Sequence, residues 1–151
     1  MKKLNLKKNK MGNKIRLGIL GGGGDSLIGV VHRIASNMFD RYELVGGCFN
    51  PNEEENKSFA NRIGVPLNRV YVSFDVLIEE ELKLPVEERM EVISVLTPNF
   101  LHFPMAKKLL EKGFNVICEK PLTTTHAEAL ELEAIQKEKQ TVFKTQLKKL
   151  P

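Results

Sequence analysis

Ile15, Leu17, Ile19 and Leu20 form a short apolar run that leads into four consecutive glycines, Gly21 to Gly24. Beyond them Val31, Ile34, Ala35 and Met38 recur at i, i+3, i+4 and i+7, the spacing of one helix face. Strand, glycine loop and helix are thereby predicted in that order. The same grammar repeats downstream. "YELVGGCF" reads as a second strand, "NEEENKSFANRIGV" as a helix ending near Gly64, "RVYVSF" as a third strand, and "DVLIEEELKL" as a short helix stopped ahead of Pro85. Val92 to Leu96 is nearly all apolar, as a parallel strand buried on both faces requires.

The next helix takes Pro104 in its first turn, carries Met105, Ala106, Leu109 and Leu110 as its stripe, and ends at Gly113. Phe114 to Cys118 is a further strand. Thr125 and Glu128 spell a T-x-x-E capping box for a last helix with Ala127, Leu130 and Ala134 at i, i+3 and i+7. Thr141, Val142 and Phe143 then begin like a sixth strand. This alternation predicts an α/β fold: a Rossmann-type, doubly wound parallel sheet in a three-layer α/β/α arrangement. Ligands of such sheets bind at the carboxyl ends of the strands. One rim therefore collects the glycine loop, "TPNFLH" and "EKPLTTT".

Composition narrows the class. A chain of 151 residues fits one domain, and its two cysteines, Cys48 and Cys118, show no zinc or disulfide spacing, so no metal ligands are expected. The net charge of +4 comes from six lysines within residues 1–14; removing those six leaves −2. That segment has no aromatic residue to stack on bases, so residues 1–14 are read as a basic, flexible arm with no nucleic-acid partner. No apolar stretch reaches the length of a membrane span, and a cytoplasmic protein is the expectation.

The glycines carry the first chemical signal. A dinucleotide fingerprint needs one glycine for a tight turn, one for close approach to the pyrophosphate and one for helix packing. Gly21 and Gly23 suit the first two roles. Position six is Ser26, so Gly29 takes the third, with a loop three residues longer than usual. Asp25 must then face water, because its carboxylate would repel a pyrophosphate. A P-loop is excluded, since no G-K-[ST] follows. The second strand ends in Cys48, Phe49 and Asn50 rather than an acidic residue. Asn50 is the candidate for the ribose, and Lys57 or Arg62 for a 2′-phosphate, so NAD and NADP stay unseparated. A methyltransferase, whose glycine loop is similar, also wants an acidic residue there.

With "GGGGDSLIGVVHRIA", "VISVLTPNFLH" and "GFNVICEKPLTTT" the chain resembles, from about residue 15 to 140, the N-terminal half of the glucose-fructose oxidoreductase, inositol dehydrogenase and rhizopine-catabolism family of NAD(P)-dependent oxidoreductases. The resemblance implies that Thr97, Pro98, Asn99 and His102 line the nicotinamide end. It also implies that the lysine of Glu119-Lys120-Pro121 approaches both nicotinamide and substrate. Lys120 is the expected catalytic residue, a partly buried ammonium able to orient a hydroxyl or carbonyl. Glu119 has two roles open to it, orienting Lys120 or capping its strand. His32 reads as a packing and loop-anchoring residue, and His126 as exposed.

Relatives of this kind continue into a substrate domain that supplies an aspartate and a histidine for proton transfer. Here no aspartate follows Asp75, and residues 141–151 turn basic and polar. The expectation is an NAD(P)-binding domain of an oxidoreductase that moves hydride between nicotinamide and a sugar or polyol secondary alcohol, with the second domain absent. The alternative is a non-catalytic nucleotide-binding or interaction module, one that self-associates through the surface a second domain would cover.

Overall fold

The computed structural model describes residues 14–145. Most of the basic arm and the last six residues of the tail therefore lie outside the described residues. Five parallel strands make one sheet: β1 (Ile15–Gly21), β2 (Tyr42–Cys48), β3 (Val92–Leu96), β4 (Asn115–Cys118) and β5 (Phe143–Thr145), in spatial order β2-β1-β3-β4-β5. Five helices join them: α1 (Leu27–Asn37), α2 (Glu53–Arg62), α3 (Phe74–Lys83), α4 (His102–Glu111) and α5 (His126–Lys139).

The period of two along the central strands splits the interior into two cores. Leu17 and Ile19 of β1 join Val92 and Leu96 of β3 on one face, with Phe49, Phe59 and Ala60 packed over them. Leu20, Ile93 and Val95 point the other way, onto Leu77 and Ile78 of α3, Leu109 and Leu110 of α4, and Leu132 of α5. All five residues of β3 are buried, which is what its apolar run demands. Helix ends follow local chemistry. Ser26, Asn52, Ser73 and Thr125 each cap a helix by accepting a backbone N–H, and Thr125 with Glu128 closes the capping box. Gly64 and Gly113 leave α2 and α4 at φ +76° and +84°.

Four expectations are corrected. "RVYVSF" is not a strand: Leu67–Arg69 is a single 3-10 turn, and pairing is reduced to one bridge between Gly47 and Val70. Side chains take up its backbone and polar groups instead. Asn56 Nδ2 donates to the Tyr71 carbonyl (2.8 Å), Tyr71 Oη donates to Glu81 (2.5 Å), and Arg69 grips both Glu81 oxygens at 2.9 Å. The α1 stripe faces outward: Val31, Ile34, Ala35 and Met38 are all exposed. In α5 the inward positions are Leu132 and Ile135, whereas Ala127, Leu130 and Ala134 are exposed. The last strand occupies Phe143–Thr145, two residues later than read.

Candidate cofactor-binding site

Three loops meet at the carboxyl edge of the sheet, after β1, β3 and β4. The first is shaped by steric limits on its glycines. Gly21 has φ +78°, and a Cβ there would meet the Leu96 carbonyl oxygen at 2.9 Å. Gly23 donates its N–H to the Phe49 carbonyl (3.2 Å), and a Cβ would lie 2.6 Å from that oxygen. Gly29, in the first turn of α1, sits so close to Gly22 that a Cβ would fall 1.9 Å from its carbonyl oxygen. These contacts leave a bare backbone cradle beneath the start of α1. Ser26 caps that helix through Gly29 N–H (3.2 Å), no acidic residue occupies its first turn, and Asp25 lies exposed at the loop tip. A helix N-terminus of this kind favours an anionic group.

The second loop, Thr97 to Leu101, presents exposed Pro98 and Asn99, while Thr97 is half-buried and donates its hydroxyl to Met105 Sδ (3.5 Å). His102 lies beneath this rim, 1% exposed, with Nδ1 2.7 Å from the Pro121 carbonyl and Nε2 2.8 Å from the Thr97 carbonyl. Its ring spans two loops, with both nitrogens facing backbone carbonyls. The third loop begins at Glu119, which is 7% exposed and whose Oε1 lies 2.6 Å from His32 Nε2. Its Oε2 accepts the Lys120 backbone N–H at 3.3 Å, and the Lys120–Pro121 peptide is cis. Lys120 itself is exposed rather than partly buried, because nothing among the described residues covers this strand end.

Asn50, at the end of β2, is engaged locally. Its Nδ2 donates to Glu55 Oε2 (2.6 Å), and its Oδ1 accepts the Asn52 N–H (2.8 Å). Lys57 is paired with Glu53 at 2.5 Å. Arg62 and Arg33 both stack on Phe59, with Cζ atoms 5.2 and 4.9 Å from the ring centre. Arg33 also donates to the Gly22 carbonyl (3.0 Å), and burial, then the charge of Arg62, hold its guanidinium below its ordinary value. Reading the sequence along the chain missed the joins from helices to the third loop, His32 to Glu119 and His102 to Pro121, which span 87 and 19 residues. No local spacing encodes them. Among the described residues no group of three His, Cys, Asp or Glu side chains is arranged to hold a metal ion, and no helix is long and apolar enough to cross a membrane.

A parallel doubly wound sheet with a glycine cradle at the start of α1 and two further loops on the same rim defines a dinucleotide-binding Rossmann domain. Residues 15–146 match the model of an oxidoreductase family with an NAD-binding Rossmann fold, and the chain belongs to that family. It is 36% identical over 126 residues to the uncharacterized oxidoreductase YfiI of Bacillus subtilis, covering 83% of this chain and 32% of that protein. Among solved structures, an inositol dehydrogenase homolog from Azotobacter vinelandii, complexed with NADH and myo-inositol, superposes with a TM-score of 0.85 at 34% identity. That match covers 89% of this chain and 35% of the other. An oxidoreductase from Pseudomonas syringae gives a TM-score of 0.86 at 29% identity, over 90% and 37% of the two chains. The chain thus spans about a third of the length of the relatives it matches.

Proposed function

We propose that this chain supplies the cofactor half of a hydride transfer between a nicotinamide dinucleotide and a secondary alcohol of a sugar or polyol. The pyrophosphate lies against Gly21, Gly23 and the start of α1. The nicotinamide reaches the rim formed by Thr97, Pro98 and Asn99 on one side and Lys120 on the other. The observation that carries this reading is the cradle at Gly23 and Gly29, where an added Cβ would run into the Phe49 and Gly22 carbonyl oxygens, so that only glycine permits the tight bare-backbone turn on which a pyrophosphate can rest. The bound nicotinamide supplies the hydride acceptor or donor. The chain's own residues bind and orient it, and the Lys120 ammonium stands where it can hold an alcohol or carbonyl oxygen. The solved A. vinelandii relative holding NADH and myo-inositol supports the substrate class.

Between the two cofactors we read NAD. Glu55, held by Asn50 at 2.6 Å, brings a carboxylate to the end of β2, where a 2′-phosphate would be repelled and ribose hydroxyls accepted. Fluorescence titration of the chain with NADH and with NADPH tests both statements. Saturable NADH binding that exceeds NADPH binding about tenfold or more is expected. Equal affinities would remove the NAD reading, and no binding of either would remove the function.

A further inference from the structure

The Glu119 carboxylate is shared between two partners from different parts of the chain. One oxygen meets the His32 imidazole of α1 at 2.6 Å; the other accepts the backbone N–H of Lys120 at 3.3 Å. Both side chains of this hydrogen-bonded pair are only 9% exposed. A carboxylate so placed needs its partners, since an unpaired buried charge is strongly disfavoured. His32 stands one turn beyond Gly29 on the helix whose start forms the glycine cradle, so its ring fixes the distance between that cradle and the backbone of Lys120. Across the tripeptide, the Pro121 carbonyl is held by His102 at 2.7 Å. The backbone on either side of Lys120 is therefore tied down, and its strand end is joined to α1 through His32 alone among the side-chain hydrogen bonds of the described residues.

We infer that His32 is a positioning residue for the nicotinamide end of the site: through Glu119 it sets Lys120 relative to the glycine loop, without itself touching the cofactor. The inference rests on the assignment of Lys120 to the nicotinamide end. It separates two halves of one ligand. ADP-ribose reports the cradle, and NADH reports the cradle plus the nicotinamide rim.

The test is calorimetric titration of the wild-type chain and of His32→Ala, His32→Phe and His32→Gln with ADP-ribose and with NADH, alongside thermal melting. His32→Phe keeps ring volume but removes the hydrogen bond; His32→Gln keeps a donor within reach of Glu119. Loss of a charge-assisted bond should weaken NADH about tenfold in the Ala or Phe variant, whichever retains its fold, and leave ADP-ribose within about twofold. His32→Gln should recover most of the NADH affinity. A parallel loss for both ligands would make His32 a merely structural residue and overturn the inference, as would unchanged NADH affinity. A wild-type chain that binds ADP-ribose but gains nothing from the nicotinamide overturns it too. Binding of neither ligand by the wild type would instead strike the proposed function and take this inference with it.

Discussion

At Gly29 a single hydrogen decides the geometry of the site. Its Cα stands where any larger side chain would run into the Gly22 carbonyl oxygen, 1.9 Å from an added Cβ. Gly24, three residues before the helix, has nothing within 4 Å of an added Cβ and only its φ of +58° to satisfy. The two substitutions should therefore separate. Gly24→Ala pays for a left-handed backbone, about 1 kcal/mol, with little change in NADH affinity. Gly29→Ala forces α1 away from the loop, costs about 3 kcal/mol, and abolishes measurable NADH binding. Urea denaturation and NADH titration of both variants check the pair. That Gly29 stands apart from the glycine run was legible, because the apolar helix period begins two residues beyond it at Val31. The partnership of His32 with Glu119 was not, since only the finished sheet brings α1 to the end of β4.

Helix α1 shows what an apolar period can and cannot decide. The repeat at Val31, Ile34 and Met38 correctly marks a helix, but the face turned inward is Ile28, Gly29, His32, Arg33 and Ser36. The reason is chemical. Gly29 must approach Gly22, His32 must reach Glu119, and Arg33 must reach the Gly22 carbonyl and the Phe59 ring. Those demands orient the helix and leave its apolar stripe outside, with Ile34 58% exposed. Helix α4 carries no such obligations beyond His102, and its stripe of Ala106, Leu109 and Leu110 lies in the core as read. Consequently Ile34→Lys should change stability by no more than about 0.5 kcal/mol, whereas Leu109→Ala should cost about 2–5 kcal/mol. Chemical denaturation distinguishes these outcomes. The missing third strand has a comparable origin, because Asn56 on α2 takes the Tyr71 carbonyl that a neighbouring strand would have paired, while Glu81 on α3 holds the side chains of Arg69 and Tyr71.

At the scale of the molecule, two cores among the described residues hold the sheet, and two histidines there hold its carboxyl rim. The interior also fixes how stability responds to alkali. Burial, and then the charge of Glu119, push the Cys118 thiol up to about 12, and burial followed by the Glu81 hydrogen bond pushes the Tyr71 phenol above its usual range. In the unfolded chain these groups ionise near 8.5 and 10, so the folded form holds the protons longer and unfolding releases them. Their contribution to stability is thus fully present below about pH 8.5 and is lost as pH rises past each group's unfolded value toward its folded one, by up to about 1.4 kcal/mol per pH unit for each group. Urea midpoints at pH 8 and pH 10 should show the decline, and Cys118→Ala should make it shallower.

The central claim is that one rim, built from the glycine loop, Thr97 to Asn99 and Lys120, receives a nicotinamide dinucleotide. A crystal structure of the chain soaked or grown with NADH tests it most directly. The expected result is a pyrophosphate against Gly21, Gly23 and the start of α1, the nicotinamide between Asn99 and Lys120, and the Asp25 carboxylate turned to solvent. A dinucleotide seated elsewhere, or an Asp25 carboxylate directed at the pyrophosphate, would contradict the account.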